Sequence, residues 1–113
     1  MDNLTTNKKI VQALVEEIAA MTPTDEKSET QTIIDNERGH YVLFSVGWYN
    51  SNREYLPFVH IDVKDNGRIY IQHDGTDLKI ALLLAEKGID KKDIVLAYRS
   101  PQRRELMSDF AIN

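Results

Sequence analysis

The sequence predicts an α+β domain in which helices cover mainly one face of a four-stranded antiparallel sheet. Three observations predict this class: an amphipathic stripe near the N-terminus, a series of strand-like segments separated by short turns, and a second helical segment after the last of them. Strands that follow one another through short turns pair as an antiparallel meander. Because the 113 residues contain no internal repeat, low-complexity tract or linker, we expect residues 1–113 to form a single domain.

The first predicted element is a helix that ends before Pro23. Apolar residues recur at spacings of three, four and seven, as they do along one face of an amphipathic helix. Thr22 precedes the proline, and a residue in that position is disfavoured in the helical region. Residues 25–29 are charged and polar and predict a loop. The apolar stripe comprises Leu4, Val11, Leu14, Val15, Ile18 and Met21.

Four strands follow, and the middle two alternate in hydrophobicity with a period of two. Residues 30–36 predict a short first strand, residues 40–50 the second and residues 55–64 the third. Pro57 has no backbone N–H, so we expect it at an edge-facing position or a bulge. The third strand should place a set of alternate residues on one face: Tyr55, Pro57, Val59, Ile61 and Val63.

The alternation of the second strand suggests which of its faces is buried. Val42, Phe44 and Val46 share a face with Trp48, the only tryptophan of the chain. We therefore expect Trp48 in the core, and not as a platform on which nucleic-acid bases stack.

A hairpin and a helix complete the predicted fold. Asp65-Asn66-Gly67 predicts a tight turn, since Asn-Gly tolerates the positive φ values of primed turns, and residues 68–73 form the partner strand. Asp74 or Thr76 then caps a helix over residues 78–87. This helix is apolar on two sides, which predicts either deep burial or packing against another chain. A short strand or turn and a C-terminal tail follow.

The charge distribution argues against a general nucleic-acid binder. The chain has 14 Lys and Arg against 18 Asp and Glu, a formal net charge of −4, whereas proteins that bind duplex DNA usually present a basic face. Residues 91–104 hold five basic residues against one acidic residue. Arg99, Arg103 and Arg104 are thus candidates for contact with DNA or another anion, although a solvated, salt-bridged tail explains them as well.

The composition also narrows the cellular location of the protein and the kinds of reaction that its side chains can perform. There is no cysteine, which excludes disulfides, thiol nucleophiles and cysteine metal sites. No apolar run resembles a signal peptide or reaches membrane-spanning length. We expect a cytoplasmic protein without membrane association.

Two of the three histidines lie in the predicted hairpin, each near an aspartate. His60 and Asp62 share one face of a strand, and the pairing places His60 roughly opposite His73, which Asp74 follows. Two histidines and two carboxylates suit a divalent metal that activates water. No third histidine has an obvious place there, because His40 begins a different strand. Cross-strand pairing or bonds to the backbone explain these side chains without a metal.

A second enzymatic interpretation uses Asp62-Val63-Lys64, which fits half of a metal-dependent nuclease signature. Asp35 would supply the other carboxylate, but the tripeptide is common by chance and Lys64 lies beside a turn. From the residues alone we therefore expect a binding or assembly module with no catalytic residue, metal or cofactor. The alternative is a metal-dependent nuclease or hydrolase that uses Asp35, His60, Asp62, Lys64, His73 and Asp74.

Short motifs spread over nearly the whole chain match the pattern of one protein family: Gly47-Trp48, residues 60–64, residues 67–76, Ile80-Ala81, Gly88-Ile89, residues 92–98, Ser100-Pro101, Arg104 and residues 110–112. On these residues the chain resembles the family of the cyanobacterial fdxN element excision controlling factor XisI. The family usually has Tyr-Thr before the final phenylalanine, and Ser108 is the candidate replacement for that threonine. The resemblance implies these signature or interface positions: Trp48, His60, Asp62, Gln72, His73, Asp74, Gly75, Arg104 and Phe110.

The resemblance implies an accessory role in the programmed excision of a DNA element. A separate recombinase would cut and rejoin the DNA, and a nuclease-like companion, XisH, is encoded alongside. This chain would then be a non-enzymatic controlling factor that binds a XisH-like protein and contacts DNA only indirectly. The two-sided apolar helix over residues 78–87 adds the expectation of a homo-oligomer.

Overall fold

The protein folds into one mixed β-sheet with helices against it. The structure, a computed structural model, describes residues 3–106 and 109–113. In this part of the chain the elements follow the predicted order, with one more strand than expected. They are α1 (Asn3–Met21), β1 (Ser28–Asp35), β2 (His40–Tyr49), β3 (Asn52–Val63), β4 (Ile69–Asp74), α2 (Ile80–Glu86), a 3₁₀ turn (Lys91–Asp93), β5 (Ile94–Leu96) and α3 (Pro101–Glu105).

Helix α1 forms where the periodicity predicts it. Met21, at the end of its apolar stripe, is exposed. Four other residues of the stripe are almost fully buried: Val11, Leu14, Val15 and Ile18. The helix ends before Pro23, and the Thr22 amide and hydroxyl both donate to the Ile18 carbonyl oxygen, at 3.1 and 2.8 Å. These bonds satisfy a carbonyl that would otherwise lack a partner at the helix end.

The sheet has the order β1-β2-β3-β4-β5. Strands β1 to β4 form the predicted antiparallel meander, but β5 lies parallel to β4. The four antiparallel strands form as predicted, and the short strand or turn expected after the second helix is a strand that joins the sheet, which is therefore mixed. Three residues are too few to show whether a strand pairs with the sheet, and α2 supplies the crossover connection that a parallel neighbour requires.

The core lies between one face of this sheet and the two longer helices, as predicted. Helix α1 packs across β1, β2 and β3 and also meets α2. Asn7 ties α1 to the β3–β4 turn, because its side-chain amide donates to the Gly67 carbonyl oxygen at 2.8 Å. The sheet contributes Tyr41, Leu43, Val59, Ile61, Val63, Ile69, Ile71, Ile94 and Leu96 to the core, and α2 contributes Ile80 and Leu84.

A bulge in β3 determines which side chains face this core. Phe44 pairs with Pro57, but the preceding residue of β2, Leu43, pairs with Val59, so Phe58 is an extra residue on β3. Of the two expectations for Pro57, an edge-facing position or a bulge, the structure shows the bulge, which adjoins Pro57. The side-chain alternation changes phase there. Val59, Ile61 and Val63 face the helices, whereas Tyr55 is exposed on the other side, so the expectation that Tyr55, Pro57, Val59, Ile61 and Val63 share a face is wrong.

The predicted burial of Trp48 is also wrong. Its side chain is 53% exposed, while Tyr41 and Leu43, on the opposite face of β2, are fully buried. Strand β2 is apolar on both faces, so alternation alone does not indicate which face is covered. Tyr41 tolerates burial because its hydroxyl donates to the Asn36 side-chain oxygen at 2.8 Å.

Helix α2 begins at Ile80, two residues later than predicted, and one of its sides remains exposed. Asp74 acts near its start as expected: one carboxylate oxygen accepts from the Ile80 amide at 3.0 Å, and the other accepts from the amide and hydroxyl of Thr76. Ile80 and Leu84 are buried, whereas Leu78 and Leu82 are roughly two-fifths exposed. In the described residues, no helix combines the length and the hydropathy needed to cross a lipid bilayer.

Candidate interaction surface and histidine–aspartate cluster

The face of the sheet that α1 and α2 leave uncovered, called here the open face, carries the candidate site. Residues directly opposite each other in an antiparallel pair share a face. Val42 lies opposite Ile33 of β1 and opposite His60 of β3. Val46 likewise lies opposite Tyr55. These pairs place apolar and ionisable side chains side by side on the open face.

The first half of the site is an apolar patch with an aromatic end. Along β2 it changes from half-buried aliphatic residues to the exposed Trp48, and the rings of Phe44 and Tyr55 pack with their centroids 5.3 Å apart. Ile33 and Tyr55 are 48% and 63% exposed. We name this set the open-face patch: Ile33, Val42, Phe44, Val46, Trp48 and Tyr55.

Arg53 completes the aromatic end. Its guanidinium carbon lies 5.3 Å from the centroid of the Trp48 ring and 5.6 Å from that of Tyr55. Cation–π contacts at such distances hold an arginine in place without removing its charge. Trp, Tyr and Arg are also the residues most enriched at the energetic centres of protein interfaces. Arg53 and Tyr55 were not among the predicted site residues, and the pairing of β2 with β3, which places them opposite Trp48 and Val46, was the signal that could have identified them.

The second half of the site is a cluster of two histidines and one aspartate. Asp62 is only 6% exposed, and one of its carboxylate oxygens, Oδ1, lies 2.7 Å from His40 Nδ1 and 2.9 Å from His60 Nε2. Gln72 donates to the other oxygen, Oδ2, at 3.1 Å, and Lys64 Nζ lies 4.0 Å from it. We name His40, His60 and Asp62 the histidine–aspartate cluster.

The expectation that His40 has no place beside His60 is therefore wrong. Without the bulge, the register of the β2–β3 hairpin would place Ile61 opposite His40. Because Phe58 is an extra residue in β3, Asp62 takes that position. The third histidine joins the cluster through this shift of one residue.

The other residues nominated for an enzyme do not join the cluster. His73 lies opposite His60 as predicted, but the potential metal-ligand atoms of the described residues come together only from His40, His60 and Asp62. The Asp35 carboxylate accepts from the amide of Arg38 at 2.9 Å and from its guanidinium at 3.1 Å. Asp74 is occupied by its bonds to Thr76 and Ile80. Of the six nominated side chains, only those of His60 and Asp62 thus belong to a common group of potential ligands in the described part of the chain.

Of the C-terminal candidates, Arg104 holds the tail in place. Arg104 donates from its Nε to the Arg99 carbonyl oxygen at 2.9 Å and from Nη1 to the Ile112 carbonyl oxygen at 3.2 Å. The Arg99 guanidinium lies 5.1 Å from the Tyr98 ring centroid, and Arg103 is exposed. Of these three arginines, Arg103 offers its charge to solvent most freely. Ser108 lies outside the described residues.

Two further signature positions have local structural roles. The Gly75 amide donates to the Phe58 carbonyl oxygen at 2.7 Å, and a Cβ at Gly75 would lie 2.9 Å from that oxygen. Glycine therefore permits a close approach of two backbones. Phe110 is partly buried against the core and lies 5.8 Å from Lys91 Nζ, measured to its ring centroid.

Comparison with known proteins agrees with the resemblance seen in the sequence. The model of the family described as XisI protein matches residues 1–112. This chain belongs to the XisI family. No curated protein matches it significantly. Membership of this family gives the open face and its two halves a biological context.

Two solved structures of XisI proteins, both from Anabaena variabilis ATCC 29413, are similar to this chain over its full length. A XisI-like protein is 34% identical, with a TM-score of 0.90, over 97% of this chain and 99% of the other. A second structure, the fdxN element excision controlling factor XisI, is 26% identical, with a TM-score of 0.86, over 99% and 100% of the two chains. Both share the α+β fold described above.

We expect Asp62→Asn to reduce stability by roughly 1–3 kcal/mol at neutral pH, because a buried charge-assisted hydrogen-bond network is weakened. Burial by itself raises the pKa of Asp62, but hydrogen bonds from His40 and His60, the nearby charge of His60 and the bond from Gln72 together lower it below the ordinary value. A lowered folded-state pKa stabilises the protein above the unfolded-state pKa, near 3.9, and this contribution disappears as pH falls through the folded-state value.

Urea unfolding of both proteins across a pH series tests this expectation. The difference in unfolding free energy should be largest near pH 7 and should shrink below about pH 4. Taking the difference between the two proteins removes the contributions of titrating groups that do not interact with Asp62. A difference that stays constant down to pH 2 would contradict the proposed linkage.

Proposed function

We propose that this protein is a non-enzymatic controlling factor for the excision of a DNA element and that it acts by binding a partner protein, a XisH-like companion. Family membership and the similarity to a structure named as an excision controlling factor support the role in excision. The open-face patch is the observation that supports partner binding. Such a factor would act in the cytoplasm, where the DNA element lies.

The open-face patch has the composition of a protein interface. Apolar residues from three neighbouring strands adjoin one another there, and an exposed patch of this kind marks an interaction site more often than it marks ordinary surface. Its aromatic end holds Trp48, Tyr55 and Arg53 in mutual contact, which supplies large contact area at a low cost in side-chain entropy. The net charge of −4 also suits a protein partner better than duplex DNA.

The placement of the nominated residues supports this function over the two alternatives. A nuclease that uses Asp35, His60 and Asp74 would need them in one place, and Asp35 and Asp74 bond to other groups. Direct DNA binding through the C-terminal arginines is supported less well than partner binding, because the Arg104 guanidinium already bonds to backbone carbonyl oxygens and only Arg99 and Arg103 would remain to contact phosphate.

We also propose that the chain forms a homo-oligomer through the exposed side of α2. Leu78 and Leu82 are partly exposed there, and a surface cavity of about 490 Å³ beside them is lined by further apolar groups of Leu96, Tyr98 and Phe110. Light scattering after size exclusion of the chain alone should give a mass above 13.0 kDa, and Leu82→Glu should lower that mass. A monomeric wild-type chain would contradict this part of the proposal.

Co-purification with a XisH-like protein tests partner binding. We expect a stable complex with the wild-type chain, and Trp48→Ala should weaken it by at least about 30-fold, since removal of a central tryptophan typically costs 2 kcal/mol or more. Tyr49→Ala is the matched control, because this neighbouring exposed aromatic residue points to the other face of β2.

Circular dichroism of each variant separates lost binding from lost folding. Failure of two folded proteins to associate would reject the proposed partner. Equal weakening by Trp48→Ala and Tyr49→Ala would reject the open face as the binding surface.

A further inference from the structure

The histidine–aspartate cluster places three potential ligand atoms around one point. His40 Nδ1, His60 Nε2 and an oxygen of Asp62 all lie within 4.8 Å of one another. They come from two adjacent strands, β2 and β3, whose register fixes their backbone positions. Sites built on strands are held more firmly than sites built on loops.

The distances within the cluster suit a small ion. A first-row transition metal binds imidazole nitrogen and carboxylate oxygen at about 2.0–2.2 Å, which for tetrahedral angles separates the ligand atoms by roughly 3.3–3.5 Å. Both histidine nitrogens are somewhat closer than that to the Asp62 oxygen, at 2.7 and 2.9 Å. Small side-chain rotations therefore open enough space for an ion. Each ring would move its proton to the nitrogen facing away from Asp62, so that a lone pair points at the metal.

We propose that His40, His60 and Asp62 form a binding site for one divalent transition-metal ion, of the Zn²⁺ class. Two imidazoles and one carboxylate are donors that suit zinc and its neighbours, whereas magnesium and calcium prefer oxygen donors alone. The rings of His40 and His60 are 47% and 35% exposed. The ion would therefore be reached from solvent, and water would complete its coordination.

The surroundings of the cluster support the ligand geometry. Gln72 donates to the second oxygen of Asp62 at 3.1 Å and so orients the carboxylate, as groups outside the ligand set commonly do in metal sites. Lys64 opposes a cation, because its ammonium lies 4.0 Å from the same carboxylate. Its side chain is 48% exposed and can turn into solvent when the ion binds.

This inference is independent of the proposed function. It rests only on the cluster, and none of its three ligands belongs to the open-face patch that would bind a partner. The earlier expectation of no metal depended on the lack of a third ligand, and His40 supplies that ligand. His73 provides a matched control, because it lies opposite His60 in the register but outside the three ligands.

Titration of the full chain with Zn²⁺, read by isothermal calorimetry, tests the site. We expect one ion per chain, and Co²⁺ should give the intense visible absorption of a four-coordinate ion. His40→Gln and His60→Gln should each weaken binding by at least about tenfold, while His73→Gln should leave it unchanged.

Nitrogen-correlated spectra of the histidine rings in the wild-type chain provide a second measurement that needs no variant. Zn²⁺ should shift the ring signals of His40 and His60 and leave those of His73 in place. Absence of stoichiometric binding by the folded wild-type chain would overturn the proposal. Equal effects of Zn²⁺ on all three rings, or equal losses in all three variants, would overturn it too.

Discussion

Gly39→Ala should destabilise the fold by at least about 3 kcal/mol. Gly39 lies between β1 and β2 with φ +77°, and a Cβ there would lie only 2.2 Å from the Val63 carbonyl oxygen. An alanine in the left-handed region costs roughly 1–3 kcal/mol by itself, and the contact with backbone adds to that cost. The Gly39 amide also donates to the Asp35 carbonyl oxygen, and its own carbonyl oxygen accepts from the Val63 amide, each at 2.8 Å. The loop therefore has little freedom to move away.

Gly88→Ala separates the cost of the left-handed backbone conformation from the cost of the contact with Val63. Gly88 also has a positive φ, +105°, but no atom lies within 4 Å of a Cβ built there. Only backbone strain should act at this position, so we expect a loss of about 1–2 kcal/mol. Urea unfolding followed by circular dichroism measures both variants. Similar losses for the two would show that the contact with Val63 relaxes and contributes nothing.

Ile61→Ala should reduce the free energy of unfolding by a similar amount, about 2–5 kcal/mol, because it removes most of a buried isoleucine side chain and leaves a cavity. Ile61 is fully buried in β3, the central strand of the sheet, on the face that α1 covers. Its neighbours on β2 and β4 are the buried Tyr41 and Ile71. Strands on both sides and a helix above limit how far the surroundings can collapse into the space.

Ile33→Ala is the matched control for the assignment of faces. It makes the same substitution in β1, on the open face, where the side chain is 48% exposed. We expect a loss below about 1 kcal/mol, measured by the same urea unfolding experiment. If Ile33→Ala cost as much as Ile61→Ala, the open face would have to be covered in the isolated protein, for example by a second copy of the chain.

Local signals in the sequence predicted most of the fold. The stripe of α1, the proline that ends it and the Asn66-Gly67 turn each act over a few residues, so one sequence is enough to identify them. The turn itself differs in detail: Gly67 has a positive φ of 86° while Asn66 does not, so it resembles a type I turn followed by a left-handed glycine more than a primed turn. The Asn-Gly pair therefore predicted the position of the turn correctly but not its type.

The errors of prediction arise from contacts between elements that are far apart in the sequence. Trp48 was assigned to the core because β2 is apolar on both faces and its sequence does not show which face the helices cover. His40 was separated from His60 because the pairing of β2 with β3 shifts by one residue at Phe58. Pro57 is compatible with an edge position or a bulge, and a single proline does not show which of the two forms or where the extra residue lies. Both errors thus depended on long-range properties that local patterns do not determine.

The bulge at Phe58 also determines which changes in length this chain tolerates. Phe58 is the unpaired residue, so its deletion would remove the bulge and leave Leu43 opposite Val59 and His40 opposite Asp62. A deletion between Val59 and Asp62, with the bulge kept, would instead place Asp62 opposite Tyr41, on the face that the helices cover. Residues can also be gained or lost at the Asn50-Ser51 turn, because the strands on either side keep their pairing. Among related chains, length should therefore vary at that turn and at Phe58 and stay fixed between Val59 and Asp62.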